Sequence, residues 1–139
     1  LNNIKLHIEQ IRPELTWRLR REALYPNRPL HEMEMDEDLT GMHFGAFYND
    51  ILAGVVSLFV HQDKYQFRKF AVGPNYQGKG IGSALLQHII SFTITEGGKC
   101  IWCNARTTAI GFYSKAGFIT TGQTFSKRGF DYEVMQKLL

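Results

Sequence analysis

The sequence predicts an α/β protein of the α+β type, built on a mixed sheet in one domain covering residues 1–139. Three observations carry this. Apolar periodicity marks out seven strand-like and three helix-like stretches. Their order is β-α-β-β-β-α-β-α-β-β, without the regular strand–helix alternation of a doubly wound parallel sheet. A chain of 139 residues with 44% apolar content is sized for one core.

Taken in order, IKLHIEQI (residues 4–11) alternates and reads as the first strand. Pro13 opens a helix, PELTWRLRREAL, which Pro26 and Pro29 terminate. An irregular acidic stretch follows. MHFGAFYNDILAGVVSLFV reads as a hairpin turning at Asn49-Asp50. In YQFRKFAV, Tyr65 and Phe67 share one alternation phase while Phe70 and Val72 share the other. A β-bulge near Arg68-Lys69 explains the slip, and bulges favour the neighbourhood of active sites. From Gly80 to about Thr95 a stripe of Ile81, Leu85, Ile89 and Phe92, widened by Leu86 and Ile90, reads as an amphipathic helix ending at Glu96-Gly97-Gly98. CIWCN is a buried strand, Thr107 to Ala116 a short helix closing on Gly117, and FITTGQTF and FDYEVMQKL the last two strands.

Charge narrows the function classes. The net charge is +3, but HEMEMDED (residues 31–38) holds five of the 13 acids, which leaves 16 bases against eight acids elsewhere. That asymmetry suits an anionic ligand beside a cationic or mixed one. Long basic runs and aromatic-basic platforms are missing, so no nucleic-acid partner is expected. The acidic segment reads as a solvated loop. No stretch approaches the roughly 20 apolar residues of a membrane span, and LNNIKL has neither part of a secretory signal, so a cytoplasmic location without a membrane partner is expected. Cys100 and Cys103 form C-x-x-C, but on a strand, without a second pair, they read as two buried reduced thiols. The five histidines have no metal spacing and no metal is expected; His88 reads as partly buried structure, while His31 and His43 could approach a substrate pocket.

The stretch FAVGPNYQGKGIGSALL (residues 70–86) carries the chemistry. Glycines 78, 80 and 82 precede a helix with no Ser, Thr, Asp or Asn at its capping position. Its first amides lack partners, and a bound phosphate would cap them, with Lys79 adding charge. A plain strand-to-helix turn is the competing reading. A P-loop would need Ser or Thr where Gly80 stands, and a dinucleotide fingerprint would need Gly where Ser83 stands.

Gln77-Gly78-Lys79-Gly80-Ile81-Gly82 matches Q/R-x-x-G-x-G/A, and the chain resembles the GNAT (GCN5-related) N-acetyltransferases, which hold the pyrophosphate of acyl-CoA on this loop. FAV is similar to that family's bulged fourth strand, and AIGFYSKAGF (residues 109–118) to its second motif, A-x-x-x-Y-x-x-x-GF. The resemblance implies a mixed, mostly antiparallel sheet of about seven strands with about four helices, splayed between strands four and five. It implies acetyl-CoA as cosubstrate and acetylation of an amine. The backbone of Phe70, Ala71 and Val72 would pair with the pantetheine arm, and a backbone N–H near Val72 would serve the oxyanion. The amides of Gln77, Gly78, Lys79, Gly80, Ile81, Gly82 and Ser83 would take the pyrophosphate, and Asn104 is assigned to the same cofactor. Tyr113 would protonate the departing thiolate, with Phe112 beside it the better core candidate. Family members are often dimers, so a homodimer is allowed.

LYPNRPL (residues 24–30) and WCNAR (residues 102–106) are similar to segments of the small bacterial members that accept glyphosate. In that subgroup arginines on strands four and five grip anionic substrate groups, which falls here on Arg68 and Arg106. A buried guanidinium needs an anion in any case, and its fork suits carboxylate or phosphonate; surface acids are the alternative partners. Another subgroup arginine falls at Tyr25, which is counted with the substrate contacts. The subgroup's base, a histidine on the last strand, falls at Tyr132. The family's strand-four glutamate is replaced by Gln66 and Arg68, so a water-relayed Glu32 or Glu34, or no base, are further options. The expected activity is N-acetylation of a small primary or secondary amine bearing an anionic group. An acyl-CoA-binding module with little catalysis and a protein or peptide acetyltransferase are the alternatives.

Overall fold

The computed structural model describes residues 5–139. Seven strands are present: β1 (Leu6–Ile11), β2 (Met42–Tyr48), β3 (Ile51–His61), β4 (Lys64–Val72), β5 (Cys100–Arg106), β6 (Ile119–Lys127) and β7 (Phe130–Leu138). Three α-helices accompany them: α1 (Trp17–Leu24), α2 (Ile81–Thr95) and α3 (Ile110–Lys115). The element order is the one expected from periodicity. Ile4, the first residue of the expected opening strand, lies outside the described residues. The fourth helix implied by the resemblance has no counterpart among them. Between α1 and β2 the chain instead makes two short 3₁₀ turns, Leu30–Met33 and Asp36–Thr40. Pro26 and Pro29 account for the break, because each removes a backbone donor and disfavours helix at the residue before it.

The strands form one sheet in the order β1-β2-β3-β4-β5-β7-β6. Among the described residues only the β4–β5 pair is parallel, and it is short: Lys64, Tyr65 and Gln66 pair with Cys100, Ile101 and Trp102. Beyond these residues the two strands share no further ladder and part. Each keeps its other neighbour: β4 stays on β3 as far as Val72, and β5 stays on β7 as far as Arg106. The gap therefore opens in the middle of the sheet.

Local chemistry fixes the turns around it. Asn49 and Asp50, with φ of 51° and 67°, form the two-residue β2–β3 turn, the left-handed pair that strand twist favours and that Asn and Asp tolerate. The expected bulge is present. Ser57 pairs with Arg68 and Val55 with Ala71, so Val56 alone stands opposite Lys69 and Phe70. Lys69 takes the strain, in the left-handed region at φ 55°.

The alternation of β3 divides the core between the two sheet faces. Val56 and Leu58 join the apolar stripe of α2 in the main cluster, while Val55 packs with Leu19 of α1 and Ala71 on the opposite face. Ile81, Leu85, Leu86, Ile89 and Ile90 are each at most 5% exposed. Burying such a side chain contributes about 1.5–3 kcal/mol, which holds α2 against the sheet, with Gly82 of its first turn close to the Phe70 and Val72 side chains of β4. Ile89→Val should cost about 0.5–1.5 kcal/mol in urea unfolding, the usual loss of one buried methylene.

Candidate active site

A cleft of about 580 Å³ lies where β4 and β5 separate. Its walls come from the end of α1, the 3₁₀ turns, the bulged half of β4, the end of β5, α3 and the β6–β7 hairpin. The structure brings Tyr25, Arg68, Phe70, Asn104, Arg106, Tyr113 and Tyr132 together around it. Ala71 lies beneath α1 instead, with its side chain buried against Leu19 and Val55.

The loop leaving β4 leads to the start of α2. Gly80 stands at the N-cap in the left-handed conformation, and no side chain caps the helix. Gly78 is also left-handed, and a Cβ at either glycine would project into open space. The first helical amides are thus bare and approachable, an arrangement that fits a phosphate group. Lys79 adds a cation held over the Tyr48 ring, at 5.8 Å from its centroid. The Gln77 side-chain Nε2 donates to the Val72 carbonyl at 3.2 Å, tying the loop back to the end of β4.

Tyr113 is 9% exposed, its ring set among Phe67, Phe70 and Phe118. Phe112, expected to be the core member of the pair, is 37% exposed and lies edge-on to Phe70. Adjacent helical residues do face different ways, but the motif turns tyrosine inward toward the cleft. Burial pushes the Tyr113 phenol well above the ordinary tyrosine range, the nearby Cys103 adds to this, and Arg106 only partly opposes it. The hydroxyl therefore stays protonated at neutral pH. Cys100 and Cys103 are both buried free thiols, as expected, and burial pushes Cys103 up to about 12.

The two arginines differ. Arg106 has its guanidinium over the Phe130 ring, 3.9 Å from the centroid, and no carboxylate within salt-bridge distance among the described residues. Arg68 lies 3.8 Å from Glu37. Tyr132 pairs across the sheet with Arg106 and stacks on Phe125, centroids 5.0 Å apart.

The acidic segment is solvated at Glu32, Glu34, Asp36 and Glu37, as its composition suggests, but not throughout. Asp38 and Met33 are buried. Arg20, fully buried on α1, donates two hydrogen bonds of 2.9 Å to the Asp38 carboxylate, one to Ser57 Oγ and one to the Met33 carbonyl. His43 completes the cluster, with Nδ1 2.7 Å from Ser57 Oγ and Nε2 2.8 Å from the Asp38 carbonyl. Since a carbonyl only accepts, Nε2 carries the proton. His43 is therefore occupied beneath the sheet and does not reach the cleft. His31 is exposed and is not among its lining residues either. His88 packs on Phe44 as a half-buried structural residue. Among the described residues no group of three or more His, Cys, Asp or Glu is placed to hold a metal. No helix there is long and apolar enough to cross a membrane.

Sequence reasoning missed Lys69. From the crest of the bulge its ammonium donates to the Tyr25 hydroxyl at 2.8 Å. The phase slip in β4 was the available signal, but the partner lies 44 residues away in sequence.

An interrupted parallel pair, a β4 bulge and an uncapped helix after a glycine loop are the features that the family resemblance implied. The model of the acetyltransferase (GNAT) domain matches residues 18–139. The chain belongs to the GNAT family of N-acetyltransferases. It is 28% identical to the uncharacterized N-acetyltransferase YitI of Bacillus subtilis, over 96% of this chain and 97% of that protein. The fold matches a GNAT acetyltransferase from Elizabethkingia anophelis with acetyl-CoA bound, at TM-score 0.75 and 20% identity, covering all of both chains. It also matches the Escherichia coli ribosomal-protein-S18-alanine N-acetyltransferase, at TM-score 0.77 and 21% identity, over 96% of this chain and 94% of that one.

Proposed function

We propose that this GNAT enzyme transfers the acetyl group of acetyl-CoA to the primary or secondary amine of a small substrate bearing a carboxylate or other anionic group. The observation that carries the reading is the β4–β5 gap leading to the uncapped start of α2. When bound there, acetyl-CoA supplies the activated acyl carbon. The amides of Gln77 to Ser83 hold its diphosphate, and the free edge of Phe70–Val72 aligns the arm. The substrate nitrogen attacks the thioester carbonyl. A backbone N–H near Val72 receives the developing oxyanion. As the C–S bond breaks, Tyr113 gives its proton to the sulfur. Arg106, with Arg68 beside it, fixes the substrate's anionic group, and Asn104 and Tyr132 line the same space.

Thiol release across a panel of amines tests the reading; acetyl-CoA binding without release from any amine would leave only a binding module. Arg106→Ala should raise KM about 10-fold for amines carrying a carboxylate or phosphonate, the loss of one charged hydrogen bond, and leave neutral amines unchanged. Equal effects on both classes would remove Arg106 from the anion site. Four carboxylates on the facing wall, Glu32, Glu34, Asp36 and Glu37, favour a second reading, acetylation of a basic peptide. Peptides of opposite charge in the same assay separate the two.

A further inference from the structure

The residues aligned with known bases leave the amine's proton without a receiver on strand four. The cleft holds a pair built for that task. Tyr25 ends α1, where its amide bonds to the Arg20 and Arg21 carbonyls and fixes its backbone. Its phenol is half-buried in the cleft. Lys69 reaches it from the bulge, with Nζ 2.8 Å from the hydroxyl and 4.6 Å from the ring centroid. Among the described residues Lys69 has no carboxylate within salt-bridge distance. An ammonium whose hydrogen bond ends on a phenol oxygen favours the phenolate, because only that form compensates its charge.

We propose that Tyr25, held by Lys69, is the general base that receives the proton of the attacking amine, a role that rests on the acetyl-transfer reading above. The bulge fits this purpose. It places Lys69 one residue before the Phe70–Val72 edge, so the pair lines the same cleft as Tyr113. The free amine forms the N–C bond and gives its proton to the Tyr25 phenolate. The C–S electron pair takes the Tyr113 proton. Tyr25 then loses its proton to water and Tyr113 regains one, so no charge accumulates over a cycle.

The electrostatics separate the two tyrosines. Burial raises the Tyr25 pKa, but the Lys69 hydrogen bond and charge, with Arg106 and Arg128, outweigh it, and the net shift is downward. Tyr113 shifts upward. One cleft therefore holds a phenol that ionises early and another that stays protonated, the division that an acid–base pair needs. Other charges line the same cleft: Arg28, Arg68 and Lys127 are cationic, and Glu32, Glu34, Asp36 and Glu37 are anionic. Two of those carboxylates are engaged, Glu32 by Arg28 at 3.2 Å and Glu37 by Arg68 at 3.8 Å.

The test is a pH profile of kcat/KM with acetyl-CoA and a panel of amino acids and aminomethylphosphonate, alongside ultraviolet titration of tyrosinate without substrate. For the wild type, activity should rise with pH as the earliest-titrating tyrosine ionises, below the ordinary tyrosine pKa of about 10. Tyr25→Phe should abolish that earliest titration, flatten the matching rise and lower kcat about 10²-fold, with KM for acetyl-CoA unchanged. Lys69→Met should move the titration and the rate profile upward together, and Lys69→Arg should restore both. Wild-type turnover matched by Tyr25→Phe across the profile would overturn the base and leave acetyl transfer standing. A wild type that binds acetyl-CoA but acetylates nothing in the panel would overturn both.

Discussion

Tyr113→Phe is expected to lower kcat by about 10²-fold or more while KM for acetyl-CoA stays unchanged. The substitution removes one oxygen and keeps the ring, so the contacts with Phe67, Phe70 and Phe118 persist. Folding should survive, and any loss of rate belongs to the proton. Without the hydroxyl the thiolate must depart as an anion in a partly desolvated cleft. Because burial holds this phenol above the ordinary range, its proton should remain available throughout. The wild type should accordingly show no alkaline fall in kcat below pH about 10 from this group. Single-turnover acetylation isolates the chemical step, and an unchanged rate there would remove Tyr113 from it.

Asp38→Ala is expected to destabilise the protein by about 3–5 kcal/mol, the cost of leaving a buried partner's charge uncompensated. Arg20 has no exposure and its Nε already lacks a partner, so it cannot turn to water. The damage should spread to the active site, since Arg20 also ties down the Met33 carbonyl and Ser57. Those contacts fasten the wall that carries Glu32, Glu34, Asp36 and Glu37. A pH dependence follows. Burial alone would raise the Asp38 pKa, but the Arg20 and Met35 hydrogen bonds and the Arg20 and His43 charges lower it overall. A carboxylate more acidic in the folded than in the unfolded state stabilises fully above its unfolded pKa of about 3.9. The contribution is lost as pH falls through the lower folded value. Urea unfolding of the wild type should therefore weaken in acid, and Asp38→Ala should show a shallower acid loss. A penalty below about 1 kcal/mol, the size of a surface pair, would contradict the buried-pair account.

How far the sequence carried depended on the range of the interaction. The α2 stripe, the Asn49-Asp50 turn, the slip in β4 and the bare glycine loop all depend on neighbours a few residues apart, and each is present in the fold. The acidic segment was legible only in part, because composition describes solvation and not partners: four of its acids are exposed. Its last residue, Asp38, is buried on an arginine 18 positions earlier. His43, which could have approached a substrate pocket, is instead buried between two fixed partners. Phe112 and Tyr113 could be told apart as facing differently, but which one faced inward depended on where α3 sits over β4.

The sequence by itself determined the elements, the family motif and the naked helix start, since backbone sterics and hydrophobic period act locally along the chain. Only the tertiary structure decided which polar side chains meet. Arg20 finds Ser57 across 37 residues and Lys69 finds Tyr25 across 44, because sheet order and the parting of β4 from β5 bring these side chains together. Nothing in their spacing encodes that proximity, and the proposed acid–base division of the cleft depends on it.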